Sequence, residues 1–389
     1  MNCLLIKNAD VYAPEHLGLN DILIVNDKIA KLTKKITVPD EFHAKVLDAQ
    51  GRKVVPGYVD QHVHIIGGGG ESGPYSRTPE IFLSELTRVG ITTVVGVLGT
   101  DGTSRHNESL LAKARGLTHD GITAYILTGS YEIPVHSMTG DVRRDIILIN
   151  ECLGVGEIAL SDHRSSQPTR AELEKILTQS RLGGMLSGKA GVVQFHMGVG
   201  ERGIDVLFDI VRETEIPAKH FIPTHVNRAF HLFEQAKEFA KLGGYIDITS
   251  GIREQDGFPA CVKPSDAIKE LYEEKIPMDR VTMSSDANGC MSVTLEDGTQ
   301  KQLAVSPASF HEEVRAAILS GVPLHVVANV VSSNPAKANG LYPQKGCLYE
   351  NSDADLIIYD EDYGVDTVIA KGQLMVQDGQ VLVKGTFER

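Results

Sequence analysis

The feature that most constrains this chain is a regular alternation of strand-like and helix-like segments through its middle. Such alternation predicts a parallel sheet. Eight units over about 250 residues predict an α/β protein with a (β/α)8 TIM barrel. A doubly wound open sheet is the alternative, but no glycine-rich dinucleotide fingerprint follows the first strand. The predicted strands are Tyr58–His64, Thr92–Leu98, Ala124–Ser130, Val155–Leu160, Gly191–Met197, Phe221–Val226, Gly244–Thr249 and Val281–Asp286.

The two ends of the chain resemble each other and differ from the middle. Short β-rich runs occupy residues 3–12, 21–36 and 355–385, with Asn26-Asp27 and Asp378-Gly379 as turn signals. Neither end alone buries enough surface to be stable. We therefore predict that both termini build one small β-sandwich domain, from residues 1–55 and 346–389, and that residues 56–345 form the barrel.

Composition restricts the possible partners and location. The 389 residues are 42% hydrophobic and 23% charged, which is ordinary globular composition, and the formal net charge of -13 argues against a nucleic-acid or anionic-membrane partner. None of the five cysteines forms a C-x-x-C pair, which suits a reducing compartment. The apolar N-terminal stretch is too short for a signal sequence, and no run approaches the roughly 20 residues of a membrane span. We expect a cytoplasmic protein.

Two histidines end the first predicted barrel strand. Side chains alternate along a strand, so His62 and His64 point to the same side. In a barrel that side can be the interior at the carboxyl-terminal mouth, where active sites lie. Two imidazoles at this spacing can bind one divalent metal. Taken alone, the pair would more often be two packed or surface histidines.

Four further metal-ligating residue types lie in other predicted strands, each within an apolar run. A polar side chain in a buried strand is costly unless it is paired or binds a metal. One such residue is usually a satisfied core group, whereas six that converge at one rim predict a metal site. The four residues are Glu157, His196, His225 and Asp286.

Several strings in the sequence resemble the amidohydrolase superfamily and, within it, the isoaspartyl dipeptidases. The likeness spans nearly the whole chain, and the glycine-rich and SDHRS strings are the ones that point to the dipeptidases. The main strings are PGYVDQHVH (56–64), GGGGE (67–71), LGTD (98–101), SDHRS (161–165), FHMG (195–198), PTHVNR (223–228) and IDITS (246–250).

The resemblance implies a hydrolase with two divalent metal ions, zinc being expected. It places His62, His64 and Asp286 on one ion and His196 and His225 on the other. Many relatives bridge the two ions with a carbamylated lysine on strand four, but this chain has Glu157 there and no lysine between Lys113 and Lys175. We expect Glu157 and a hydroxide to bridge the ions. The alternative is that Glu157 is only an ion-pair partner and the site holds one metal.

The same resemblance assigns the chemistry. A hydroxide attacks the scissile amide carbon, Asp286 takes its proton and passes it to the leaving amine, and Tyr131 donates a hydrogen bond to the developing oxyanion. Without the resemblance, Tyr131 would be interpreted as a packed loop aromatic.

A β-aspartyl dipeptide carries one ammonium and two free carboxylates, so its site needs one anion and several donors. Glu71 is predicted to pair with the ammonium, and Arg164 and Arg228 to bind carboxylates. The remaining predicted substrate contacts are Gly69, where the backbone can approach closely, Thr100 and Cys290. The alternative for Glu71 and the arginines is a set of solvated surface charges.

Two other functions stay open. A cyclic amidase of the dihydropyrimidinase or dihydroorotase type could use the same metals, although a cyclic imide has no ammonium for Glu71. A catalytically inactive barrel used as a binding module is the second alternative, although all six ligand positions hold metal-competent residues. The resemblance also implies a homo-oligomer, an octamer built from dimers. The small dipeptide is the expected partner.

Overall fold

The computed structural model describes residues 2–294 and 300–388, and the chain begins with antiparallel strands. The predicted turn at Asn26-Asp27 is confirmed, because Val25 pairs with Lys28 across it. The first five strands are β1 (Cys3–Tyr12), β2 (His16–Val25), β3 (Lys28–Thr33), β4 (Lys45–Asp48) and β5 (Lys53–Pro56).

Eight parallel strands follow, and they confirm the predicted barrel. Each pairs with its neighbours in chain order. The first and last strands meet through two backbone hydrogen bonds, from Asp286 N to His62 O at 3.1 Å and from His64 N to Ala287 O at 2.9 Å. The barrel strands are β6 (Tyr58–Val63), β7 (Ile91–Gly96), β8 (Thr123–Thr128), β9 (Cys152–Leu160), β10 (Val192–Met197), β11 (Phe221–Thr224), β12 (Ile246–Thr249) and β13 (Val281–Ser284).

Helices connect the barrel strands and bury their apolar faces against them. The longest begins with a capping box between Thr169 and Glu172 and ends at Gly188, whose φ of 71° suits glycine. A π-helical turn joins the last two helices. The helices are α1 (Leu83–Thr87), α2 (Asn107–Asp120), α3 (Val142–Leu148), α4 (Arg170–Ser187), α5 (Asp205–Glu213), α6 (Phe230–Lys241), α7 (Pro264–Glu273), α8 (Ala308–Leu319), α9 (Leu324–Ala328) and α10 (Asn334–Ala338). None of the helices in the described ranges has the length and apolar character needed to cross a membrane.

A two-stranded antiparallel ribbon leaves the barrel after β13, and the sequence pattern did not predict it. Its strands are β14 (Cys290–Thr294) and β15 (Gln300–Ala304). Hydrogen bonds from Asn288 N to Val305 O and from Val305 N to Gly289 O, both 2.9 Å, fix the ribbon to the barrel rim. The ribbon therefore stands beside the mouth of the barrel.

The final strands return to the first five and complete the predicted β-rich unit. In the resulting nine-stranded sheet, β16 pairs with β5, and the Asp378-Gly379 hairpin is confirmed by the pairing of Gln377 with Gln380. This sheet has an apolar core of its own. The strands are β16 (Leu356–Tyr359), β17 (Val365–Ala370), β18 (Gln373–Gln377) and β19 (Gln380–Val381). The division at residues 55–56 and 345–346 stays a prediction.

Candidate metal centre and active site

The six predicted metal ligands converge inside the carboxyl-terminal mouth of the barrel. His62, Glu157 and His225 are fully buried at the floor, and His64, His196 and Asp286 line the cavity above them. Three positions differ from the prediction, because three barrel strands end earlier than predicted. His64 and His225 each lie one residue beyond the ends of β6 and β11, and Asp286 lies two residues beyond the end of β13. Glu157 lies within the nine-residue β9, which begins at Cys152.

The Glu157 carboxylate faces two pairs of histidines with its two oxygens. Its Oε1 lies 3.4 Å from His62 Nε2 and 3.5 Å from His64 Nε2. Its Oε2 lies 3.0 Å from His196 Nδ1 and 3.5 Å from His225 Nε2. One carboxylate therefore separates two imidazole pairs, which is the arrangement that a bridging ligand requires.

Asp286 completes the first of these groups. Its Oδ1 lies 3.1 Å from His64 Nε2 and 3.6 Å from His62 Nε2. Asp286 and His225 both have a left-handed backbone, with φ of 58° and 63°. Such conformations are uncommon for residues other than glycine and concentrate at functional sites. Here they turn each side chain into the mouth just after its strand ends.

The donor set fits divalent metal ions. Several buried ligand atoms lack a hydrogen-bond partner among the described residues: His62 Nε2, Glu157 Oε1, His225 Nε2 and Asp286 Oδ1. Leaving such a group unpaired costs about 1–3 kcal/mol, more if it is charged. The His62, His64 and Asp286 ligand atoms lie within 4.8 Å of one another, as do those of His62, Glu157 and His225. A cation at each group would satisfy these atoms.

Outer hydrogen bonds orient two of the histidines. His62 Nδ1 lies 2.9 Å from Gln194 Oε1, and His225 Nδ1 lies 2.7 Å from Thr249 Oγ1. A proton donated at Nδ1 leaves the Nε2 lone pair directed at the centre. Sequence reasoning missed both partners. The sequence did contain a signal for Gln194, because this residue lies two positions before His196 on the same strand and so points to the same side.

Electrostatics favour the binding forms of Glu157 and His225 but not of His62. Burial would lower the pKa of His62, but the Glu157 and Asp286 carboxylates raise it to about 9, so a metal ion bound there would displace a proton. Burial would raise the pKa of the Glu157 carboxyl, but the facing His62 and His196 rings hold it well below its usual range. Burial and the Arg228 guanidinium hold the pKa of His225 well below its usual value, so this imidazole stays neutral. Burial, and then the charge of Glu157, raise the pKa of Tyr131 well above its usual value. The Tyr131 hydroxyl therefore retains its proton.

Tyr131 stands over the second histidine pair. It follows β8, is buried, and places its hydroxyl 2.8 Å from His196 Nδ1. The guanidinium carbon of Arg164 lies 5.2 Å from the centre of its ring. The hydroxyl is thus at the centre, as predicted, rather than on the surface.

All six predicted substrate-binding residues line one cavity of about 610 Å³ above the ligands. Glu71 Oε1 accepts hydrogen bonds from Thr100 Oγ1 at 2.9 Å and Arg164 Nη1 at 3.1 Å. Arg228 Nη1 lies 3.0 Å from His196 Nε2 and donates to Met197 O at 3.0 Å. The cavity therefore places the Glu71 carboxylate and two guanidinium groups beside the candidate metal centre, together with the carboxylates of Asp162 and Asp286.

Gly69 and Cys290 form a close contact in the wall of this cavity. Gly69 has a φ of 73°, and a Cβ added there would lie 2.4 Å from Ser76 O and 2.7 Å from Cys290 Cβ. Only glycine fits that position. The Cys290 thiol lies 3.2 Å from Gln302 Oε1 on the ribbon. The roles predicted for these two residues in substrate binding stay predictions.

The comparisons agree with this geometry. A model of the amidohydrolase family matches residues 53–375. The chain is similar to the solved β-aspartyl dipeptidase of Fervidobacterium islandicum AW-1, in complex with β-Asp-Leu dipeptide. That likeness has 43% identity and a TM-score of 0.89, and covers 97% of this chain and 98% of that one. Dihydropyrimidinase from Brevibacillus agri shares the fold, with a TM-score of 0.70 at 17% identity over 98% of this chain and 97% of that one.

A more distant relative comes from the curated proteins. Imidazolonepropionase of Thermoplasma volcanium is 25% identical over 93% of this chain and 88% of its own length. The family model covers most of the sequence, and the Fervidobacterium structure matches it nearly end to end at much higher identity. This chain is therefore a hydrolase of the amidohydrolase family and belongs, within it, to the β-aspartyl dipeptidases.

Proposed function

We propose that this protein hydrolyses the β-aspartyl amide bond of dipeptides at a two-metal centre. The observation that carries the proposal is that Glu71, Arg164 and Arg228 line one cavity. Below this cavity lies Glu157, a carboxylate that faces four histidines. A β-aspartyl dipeptide has one ammonium and two carboxylates, which is the opposite set of charges. The bound β-Asp-Leu of the Fervidobacterium relative supports this choice of substrate.

The wall residues bind and orient the substrate. Glu71 pairs with its ammonium, while Arg164 and Arg228 each offer planar N–H groups to a carboxylate. Before substrate enters, the Arg164 N–H group donates to Glu71. Exchanging that ion pair for two new ones lets the site accept a zwitterion without leaving either side chain unpaired.

The floor residues would hold the metals. His62, His64 and Asp286 would form one ligand group. His196 and His225 would form the other, with Glu157 facing both groups. Two divalent ions bound there, which we expect to be zinc, would supply Lewis-acid charge and a hydroxide at neutral pH. Glu157 would help to hold both ions, because it offers one carboxylate oxygen to each histidine pair.

Asp286 moves the proton. Its carboxylate lines the cavity and lies beside His64, while its backbone is fixed by the hydrogen bond to His62 O. Burial alone would raise the pKa of Asp286, but the hydrogen bond with His64 and the charge of His62 hold it well below its usual range. The group therefore begins as an anion that can accept a proton and deliver it to the leaving amine. Tyr131, which keeps its proton, donates to the oxygen that becomes negative.

The test is cleavage of β-Asp-Leu beside α-Asp-Leu by purified protein of measured metal content. Selective cleavage of the β-linked peptide is the expected result. Two metal equivalents with no cleavage of either peptide would discard the dipeptidase and favour cyclic amides. Absence of both metal and cleavage would favour the inactive-barrel alternative.

A further inference from the structure

Asp162 lies just beyond the end of β9, between the metal centre and the substrate wall. Its side chain is only 6% exposed. Gly198 packs against it so closely that an added Cβ would lie 2.7 Å from Asp162 Cα. The position of the carboxylate is therefore set by the barrel and not by a mobile loop.

The Asp162 carboxylate binds the Arg164 side chain. Its Oδ1 accepts from Arg164 N at 2.8 Å and Nε at 2.9 Å, and its Oδ2 accepts from Nη2 at 2.8 Å. This side-on bidentate pairing fixes the plane of the guanidinium. The opposite edge, with Nη1, is left facing Glu71 in the cavity.

The same carboxylate reaches the metal centre. Asp162 Oδ2 lies 3.3 Å from His196 Nε2. His196 faces Glu157 through Nδ1, whereas His62 and His225 face it through Nε2. The reversed ring of His196 therefore needs its own acceptor at Nε2 if Nδ1 is to bind a metal.

Among the described residues, two groups near His196 Nε2 can accept that proton, Asp162 Oδ2 and the Tyr131 hydroxyl, each at 3.3 Å. Arg164 Nη2 at 3.1 Å and Arg228 Nη1 at 3.0 Å are both donors. The Tyr131 hydroxyl lies nearer to Nδ1, at 2.8 Å, so Asp162 Oδ2 is the charged acceptor for Nε2. A carboxylate here selects the tautomer in which Nδ1 presents its lone pair to the centre.

We propose that Asp162 is a positioning residue that fixes both the metal-binding tautomer of His196 and the substrate-binding edge of Arg164. The proposal rests on the function proposed above. It predicts that one substitution weakens both metal and substrate binding, although Asp162 itself contacts neither.

Asp162→Asn separates this role from a local structural one. The amide oxygen can still accept from Arg164 N, so the turn is retained. The amide nitrogen that replaces Oδ2 can only donate, and it faces donors on Arg164 and His196. If Asp162 served only the turn, this variant would behave like the wild type.

The first measurement is metal affinity of the metal-stripped variant by chelator competition, which needs no substrate. We expect one of the two zinc sites to weaken by about 10–100-fold. The second measurement, at saturating zinc, is the kinetics on β-Asp-Leu. KM should rise by about tenfold or more, and kcat should change less, because the carboxylate-binding edge of Arg164 is lost.

Asp101→Asn is the matched control. Asp101 also caps a loop, accepting from Ser104 N at 2.7 Å, and pairs with Arg77 at 2.6 Å. The Asp101→Asn substitution removes the same charge near the same rim of the barrel. The metal affinity of this variant should stay within about twofold of the wild type, because Asp101 contacts none of the predicted metal ligands.

Unchanged metal affinity and KM in Asp162→Asn would overturn the proposal, as would equal losses in Asp101→Asn. Should the asparagine variant not fold, Asp162→Ser keeps an acceptor for the turn and gives the same comparison. A wild type that binds zinc but leaves β-Asp-Leu intact defeats the proposed function only. The metal titration still tests Asp162 in that case.

Discussion

Arg164 Nη1 lies 3.1 Å from Glu71 Oε1, so two groups proposed to bind opposite charges of the substrate pair with each other across the cavity. Both side chains are about one-quarter exposed, at 23% and 27%. A partly exposed pair of this kind is weak, in the range of about 0–1 kcal/mol. Substrate can therefore displace it at little cost, and the two charges are already in place.

Glu71→Gln should raise KM for β-Asp-Leu by about tenfold or more, since a charged hydrogen bond of about 1.5–3 kcal/mol is lost. Metal content should not change. The sharper measurement compares β-Asp-Leu with succinyl-leucine, which lacks the ammonium. The wild type should prefer the former strongly, and Glu71→Gln should lose most of that preference. A variant that keeps the full preference would show that another group binds the ammonium. Glu80→Gln, an exposed acid paired with Lys113, is the control.

Added bicarbonate should have no effect on reactivation of the metal-stripped protein by zinc. Glu157 presents an oxygen to each histidine pair without needing carbon dioxide. The measurement is the activity recovered in carbon-dioxide-depleted buffer with and without bicarbonate, beside protein that was never stripped. A clear bicarbonate requirement would exclude Glu157 as the bridging ligand.

Asp286→Asn should lower kcat by about 10²–10⁴-fold, the range for removing a positioned general acid–base group. The amide keeps the shape of the side chain but cannot take the proton. Steady-state kinetics at measured metal content test this, because loss of metal would be a different cause. Asp279→Asn, an exposed acid in the same segment, should retain wild-type kinetics. Near-normal turnover in Asp286→Asn at full metal content would remove Asp286 from the proton path.

Lys345→Met should destabilise the protein by about 3–5 kcal/mol, because it leaves buried carboxylates without their cation. Lys345 is nearly fully buried, and its Nζ lies 2.8 Å from Asp353 and 2.6 Å from Asp355. Lys28 is the matched control. It also pairs with Asp353 but is 40% exposed, so Lys28→Met should cost less than about 1 kcal/mol. Urea unfolding at pH 7 measures both variants.

The cost of Lys345→Met should depend on pH. Burial alone would raise the pKa of Asp353, but Lys345 and Lys28 lower it below its usual value. A depressed carboxyl pKa stabilises the fold above the unfolded value of about 3.9, and that stabilisation is lost as the pH falls through the folded value. The difference between wild type and variant should therefore be constant from about pH 7 to 5 and shrink below about pH 4. A difference that grows on acidification would contradict this assignment.

Local sequence patterns were sufficient to predict the barrel, because strand and helix periodicities are local properties that tertiary contacts reinforced at all eight strands. The same patterns predicted the six candidate ligands that the structure brings together, since polar residues in apolar strands are costly without a partner. Both predicted hairpins formed for a similarly local reason. Several strand ends were predicted less well, because neighbouring strands decide where pairing begins and ends. They include the start of β9 and the ends of β7, β8, β11 and β13.

The way in which the groups face one another follows from contacts between distant parts of the chain. Three features depend on strands that meet when the barrel closes. They are the position of Glu157 between two histidine pairs, the reversed ring of His196 and the acceptor that Asp162 supplies. Asp162 and His196 are 34 residues apart in the chain. The ribbon beside Cys290 and the burial of Lys345 against the terminal sheet likewise depend on distant segments. Residue type predicts what a side chain can do, but the curvature of the closed sheet determines which partners it meets.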